Sequence, residues 1–113
     1  MRIRTDVSSD YITDSDQKMA MLADALSHPL RVALVRYLDE NDNGDGLDNA
    51  TCNKDLVEMF DYSQSTMSQH VKILTTSGLF TVEKRDQFRY YFLNRALLLE
   101  FHDFLNQIVQ DKL

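Results

Sequence analysis

Residues 61–80 read DYSQSTMSQHVKILTTSGLF. Met67, Val71 and Leu74 recur at i, i+4 and i+7, which puts all three on one face of a helix that opens near Ser63. Gly78 stands where a left-handed residue closes a helix ending at about Ser77. The period then changes to alternation through Phe80, Val82 and Lys84, as in a half-buried strand. The run Phe88–Leu93, FRYYFL, is aromatic and β-prone, and Arg85-Asp86-Gln87 before it is short enough for a hairpin. Upstream, Ala50–Cys52 suits a short strand, and Asn53 is placed to cap a short helix carrying Leu56, Val57 and Phe60. Asp61, Tyr62 and Ser63 leave room only for a tight connection. Two short helices at a tight turn followed by a hairpin form the pattern of a winged helix-turn-helix.

The flanks add helices on both sides. Asp14, Ser15 or Asp16 can cap a helix bearing Met19, Leu22, Ala23 and Leu26, and Pro29 suits the first position of a second, with Val32, Leu34, Val35 and Leu38 on its apolar face and its end near Asp39. The acid- and glycine-rich stretch ENDNGDGLDN, residues 40–49, reads as a solvated loop with a bend at its two glycines. A last helix is expected from Arg95 to Lys112. The expected architecture is therefore mainly α with a small β-hairpin, in the order α1-α2-α3-α4-β-β-α5, with α1 from about residue 14, α2 from 29, α3 from 53, α4 from 63 and α5 from 95. Residues 1–12 read as a loose N-terminal arm and 13–113 as one domain.

Composition narrows the function. The chain has 113 residues, 43% apolar, enough to fill one modest core. No apolar run reaches the roughly 18–20 residues that cross a bilayer and no signal-peptide pattern opens the chain, so no membrane partner and a cytoplasmic location are expected. No glycine-rich phosphate loop, nucleophile elbow or clustered carboxylate–histidine arrangement points to an enzyme. A net charge of −6 speaks against a nucleic-acid binder, yet it is unevenly spread. Residues 63–95 carry five basic and two acidic side chains, whereas residues 1–62 carry six and 13. The segment assigned to recognition helix and hairpin is the only net-positive one, and local sign dominates within a Debye length of about 8 Å.

The inward positions of α4 leave Gln64, Ser65, Thr66, Ser68, Gln69 and Lys72 on its other faces. Small hydrogen-bonding side chains suit a helix in the major groove: Gln can pair with adenine edges, Ser and Thr with bases or phosphates, and the helix start, with Ser63, offers N–H groups to phosphate. The same polar face also fits an ordinary solvated helix. Three segments read together go further: ADALSHPLRVALVRYL, DYSQSTMSQHVKILTTSGLF and RYYFL. Together they resemble the ArsR-type metal- and stress-sensing repressors of bacteria, over roughly Met19–Leu93. The resemblance implies a homodimeric repressor on palindromic double-stranded operator DNA, with α3 and α4 as the helix-turn-helix and an inducer, a small molecule or a redox signal, that releases the DNA.

On that resemblance His70 falls on the family's motif histidine and is expected to position the helix, with phosphate contact second, while His28 serves as a cap or turn residue before Pro29. In the hairpin Lys84, Arg85, Gln87 and Arg89 are candidates for backbone or minor-groove contact, with Arg85 and Arg89 foremost. Asp86-Gln87 stands where the family usually has Gly and a base. Metal-sensing relatives place Cys-x-Cys at the start of α3, whereas this chain has Cys52 followed two positions later by Lys54, and the last helix offers Glu100, His102 and Asp103 without a later His. Neither a metal nor a cofactor is expected.

Leu97, Leu98, Leu99, Phe101, Phe104, Leu105, Ile108 and Val109 cover well over half the circumference of the last helix. A helix that apolar needs cover on a second side, so a dimer is expected through Leu98, Phe101, Leu105 and Ile108, helped by Met19 and Leu22 of α1. The competing reading is a winged-helix module that binds another protein and not DNA.

Overall fold

The computed structural model describes residues 11–42, 51–110 and 112. Residues 1–10 of the expected arm, the two glycines at 44 and 46 and Ala50 lie outside them. The element order is α1 (Asp14–Ala25), α2 (Pro29–Glu40), β1 (Thr51–Cys52), α3 (Asn53–Met59), α4 (Gln64–Thr76), β2 (Phe80–Arg85), β3 (Phe88–Leu93) and α5 (Arg95–Gln110). This is a winged helix-turn-helix, with the expected hairpin widened to an antiparallel sheet of order β1-β3-β2.

The helix ends follow local chemistry. Thr13, not the three residues after it, caps α1: its hydroxyl accepts from the Asp16 N–H at 3.1 Å and the Asp16 carboxylate accepts from the Thr13 N–H at 2.9 Å. His28 caps α2 as expected, Nδ1 accepting from the Leu30 N–H at 3.1 Å ahead of Pro29. At α3 the cap position belongs to Cys52, whose N–H donates to the Asp55 carboxylate at 3.0 Å. Asn53 has another role: its carboxamide oxygen accepts from the Arg89 N–H at 3.0 Å and so pins the wing to α3. The Ser63 hydroxyl caps α4 by accepting from the Thr66 N–H at 3.2 Å. Gly78 follows with φ 88°, a conformation that costs an L side chain about 1–2 kcal/mol.

Leu22, Leu34, Leu56, Leu74, Leu79 and Phe80 form the fully buried centre, joined by Met67 and Val71 of α4. Burying one such side chain contributes roughly 1.5–3 kcal/mol, so α4 is held chiefly by its apolar stripe. The alternation expected of β2 packs only at its first residue: Phe80 is 1% exposed and Val82 45%, because the hairpin runs past the helices it leaves. The turn is two residues, Asp86-Gln87, with Arg85 in the strand and Asp86 at φ 57°.

Asn94 joins the C-terminal end of α4 to the start of α5. Its amide donates to the Gly78 carbonyl at 3.1 Å, its N–H to the Leu79 carbonyl at 2.8 Å, and its side-chain oxygen accepts from the Leu97 N–H at 3.2 Å. Two further ties hold α5: Lys18 Nζ to Glu100 at 2.9 Å, and the Arg95 guanidinium to Asp39 and Asp42, both at 2.9 Å. These pairs are half-exposed and contribute little singly.

Along α5 only Leu97 is buried, Leu98 and Phe101 are half-buried, and Leu99, Phe104, Leu105, Ile108 and Val109 are exposed. Met19 and Leu22, expected to help cover this helix from a partner chain, are 7% and 0% exposed and already engaged in the protomer's own core. The exposed apolar side chains of α5 are open to a second molecule, as are Tyr11, Ile12 and Met21 at and before α1.

Candidate nucleic-acid interface

With Met67, Val71 and Leu74 buried, the 100° step of the helix sorts the remaining side chains of α4. Ser65, Gln69 and Lys72 form its outermost ridge, Gln64 and Ser68 lean toward the hairpin, and Thr66 and His70 lean toward α1 and α2. Ser63 and Thr66 are occupied by the cap, their hydroxyls 2.9 Å apart, with Ser65 Oγ 3.4 Å from Ser63. Gln64, Ser68, Gln69 and Lys72 are exposed and have no side-chain hydrogen bond among the described residues, which leaves them open to a ligand.

Between α4 and the wing run two adjoining clefts of about 270 and 260 Å³ that share Ser68, Val71, Arg89 and Tyr91. Gln64 and Gln87 border the first, Lys72 and Lys84 the second. Among the described residues no Asp or Glu lines either cleft, although the chain carries 18 acidic residues. Lys72, Lys84 and Arg89 thus meet in an acid-free groove, and none of them is ion-paired among the described residues.

The register of the hairpin explains the convergence. Val82↔Tyr91 and Lys84↔Arg89 are facing pairs on one side, and Glu83↔Tyr90 and Arg85↔Phe88 lie on the other. Of the two foremost wing candidates, Arg89 therefore faces the groove and Arg85 faces away beside Glu83. Lys84 takes the place beside Arg89, and two like charges set directly opposite each other destabilise a hairpin by a few tenths of a kcal/mol. Burial pushes the Tyr91 phenol upward, opposed by the neighbouring Arg89.

His70 is fixed to the frame. Arg31 is 8% exposed and donates to the Ala25 carbonyl at 2.8 Å, the Asp24 carbonyl at 3.2 Å, Ser27 Oγ at 3.1 Å and His70 Nδ1 at 3.0 Å. The His28 and His70 rings are 4.5 Å apart. Burial, then the charges of His28 and Arg31, lower the His70 pKa below its ordinary 6.5. Sequence reasoning placed no role on Arg31; a lone cation on the otherwise apolar face of α2 was the available signal, since a buried guanidinium must find acceptors.

At the start of α3, Cys52 Sγ lies 3.4 Å from Asn53 Oδ1, and Lys54 is 4.0 Å from Glu58. On α5, His102 lies 3.3 Å from Asp103 and both are exposed. Among the described residues no three His, Cys, Asp or Glu side chains converge as metal ligands, and no helix is long and apolar enough to cross a membrane.

A family profile described as "bacterial regulatory protein, arsR family" matches residues 28–82, from the cap of α2 to the middle of β2. The chain is similar to the arsenical resistance operon repressor of Staphylococcus xylosus, 31% identical over 93 residues, which span 82% of this chain and 78% of that one. Its fold is similar to the crystal structure of an ArsR family transcriptional regulator, with a TM-score of 0.73 and 16% identity over 88% of this chain and 94% of the other. It is also similar to the solution structure of the homodimeric winged helix-turn-helix DNA-binding domain of a possible ArsR-family regulator from Mycobacterium bovis, with a TM-score of 0.59 and 18% identity over 99% of this chain and 92% of that domain.

Proposed function

This chain belongs to the arsR family of bacterial regulatory proteins, and we propose that it acts in the cytoplasm as a homodimeric, sequence-specific repressor that binds a palindromic operator through α4 and the wing. One observation carries the reading: in a chain of net charge −6, Lys72, Lys84 and Arg89 meet in a groove with no acidic lining, beside a ridge of unoccupied Gln and Ser side chains. Such a groove attracts phosphate and leaves the ridge to read base edges. The cap residues Ser63, Ser65 and Thr66 orient the start of α4, whose first-turn N–H groups other than that of Thr66, held by Ser63, turn to the phosphate backbone. Gln87 extends the contact at the wing tip, whereas Arg85 lies on the opposite face of the hairpin.

Two copies meet through the exposed stripe Leu105–Ile108, with Leu98 and Phe101 at its half-buried edge. The homodimeric state of the solved mycobacterial domain supports this assembly. The arsenical named for the staphylococcal relative does not carry over to this chain, because Cys52-Asn53-Lys54 offers a single cysteine where a soft ion needs more than one sulfur ligand. The releasing signal is instead a small molecule or an oxidant.

A mobility-shift titration against the DNA upstream of its own gene tests the reading. Salt-sensitive binding that discriminates the upstream duplex from an unrelated one is expected. A folded dimer that binds no duplex would overturn it in favour of a protein-interaction module.

A further inference from the structure

The Arg31–His70 contact is the only side-chain hydrogen bond that joins α4 to another helix among the described residues; the other side-chain bonds of α4 stay within the helix and its cap. The guanidinium that makes it is anchored by two bonds to carbonyls of the last turn of α1 and one to the Ser27 hydroxyl just beyond it. Arginine has no lone pair to offer, so His70 Nδ1 must accept, and the proton of the neutral ring sits on Nε2. His28 is committed in the same way, since its Nδ1 accepts from the Leu30 N–H.

We infer that Arg31 and His70 are a positioning pair that sets the seat of α4 against α1 and α2, and that taking up a proton on His70 Nδ1 opens this seat and weakens DNA binding. The inference rests on α4 being the DNA-reading helix, as proposed above. A second ring proton points N–H at N–H across 3.0 Å and sets two positive charges face to face. The bond is lost and the ring is repelled. The groups acting on His70 are Arg31 from α2 and His28 from its cap; Asp24, at the end of α1, gives its carbonyl to Arg31. The lowered pKa of His70 agrees with this geometry: the neutral ring is the one the fold selects. Loss of one bond to a charged group corresponds to roughly a tenfold fall in affinity when its energy is what holds the binding geometry.

The sign separates the pair from plain electrostatics. Added protons elsewhere on the protein raise its charge and strengthen DNA binding, whereas opening the seat weakens it. Affinity for the upstream duplex is measured at constant ionic strength from about pH 7.5 to about pH 5.5, for the wild type and for His70→Gln, whose side-chain oxygen accepts from Arg31 and does not titrate. The wild type is expected to lose affinity toward the acid end of this range, approaching a loss of about tenfold as the ring becomes protonated, and His70→Gln to stay level or gain. Parallel curves, or a wild type that gains in acid, would overturn the pairing. Imidazole ¹⁵N spectra of the free wild type supply a second reading that needs no variant and no DNA: an Nε2–H tautomer ionising below the ordinary histidine value is expected, and an Nδ1–H tautomer overturns the pairing. Failure of the wild type to bind any duplex at neutral pH would refute the DNA reading while the spectra still test the pair.

Discussion

Replacing Arg89 with Ala should flatten the salt dependence of operator binding, and replacing Arg85 should not. Each protomer brings Lys72, Lys84 and Arg89 into the acid-free groove, so a dimer presents six such cations. A neutralised phosphate contributes about 0.9 to the slope of log affinity against log salt, so removing Arg89 from both protomers lowers the slope by about 1.8. Over a fourfold rise in salt that is a loss of affinity roughly tenfold smaller than the wild type suffers. Arg85 points to the other face of the hairpin beside Glu83, and its removal leaves the slope nearly unchanged. Fluorescence anisotropy with a labelled operator duplex, titrated between about 50 and 200 mM salt, measures both. A variant Arg85→Ala that flattens the slope as much as Arg89→Ala would refute the assignment of the groove face. The same register gives a companion result in the free protein: Arg89→Ala relieves the Lys84↔Arg89 repulsion and should stabilise the fold by a few tenths of a kcal/mol in urea denaturation.

Gln64→Ala and Gln69→Ala should reduce discrimination between operator variants by about 1–3 kcal/mol each, whereas Lys72→Ala weakens all duplexes alike; competition binding against single-base operator mutants separates the two. Leu105→Asp or Ile108→Asp places a charge on the exposed stripe of α5 and should give monomers at micromolar concentration in sedimentation, with α5 still helical by circular dichroism. Gly78→Ala should cost about 1–2 kcal/mol in urea denaturation, because φ is 88° and the new Cβ lies 3.2 Å from Leu97 Cδ2.

The helical core was legible because its signals are periodic. Met67, Val71 and Leu74 repeat as a helix face must, and Pro29 and Gly78 mark helix ends by backbone constraints that no tertiary context removes. The caps of α1 and α3 were misread because several adjacent residues carry a suitable side chain, and the choice among them depends on which partner lies within reach: Asp16 for Thr13, Arg89 for Asn53. The face of Arg85 depends on a one-residue register set by the length of the turn, and composition leaves the turn at two or three residues. Arg31 was silent for a different reason. Its acceptors are two main-chain carbonyls of α1, which every sequence possesses, the Ser27 hydroxyl and a histidine 39 positions away.

Asn94 has a consequence for the geometry of the target. One side chain locks the end of α4 to the first turn of α5, so in the proposed dimer the distance between two recognition helices becomes a property of the fold. Such a dimer works as a fixed-width caliper. An operator whose half-sites are moved apart by one base pair, about 3.4 Å along the axis and roughly a tenth of a turn around it, should lose one of its two contacts and bind like a half-site.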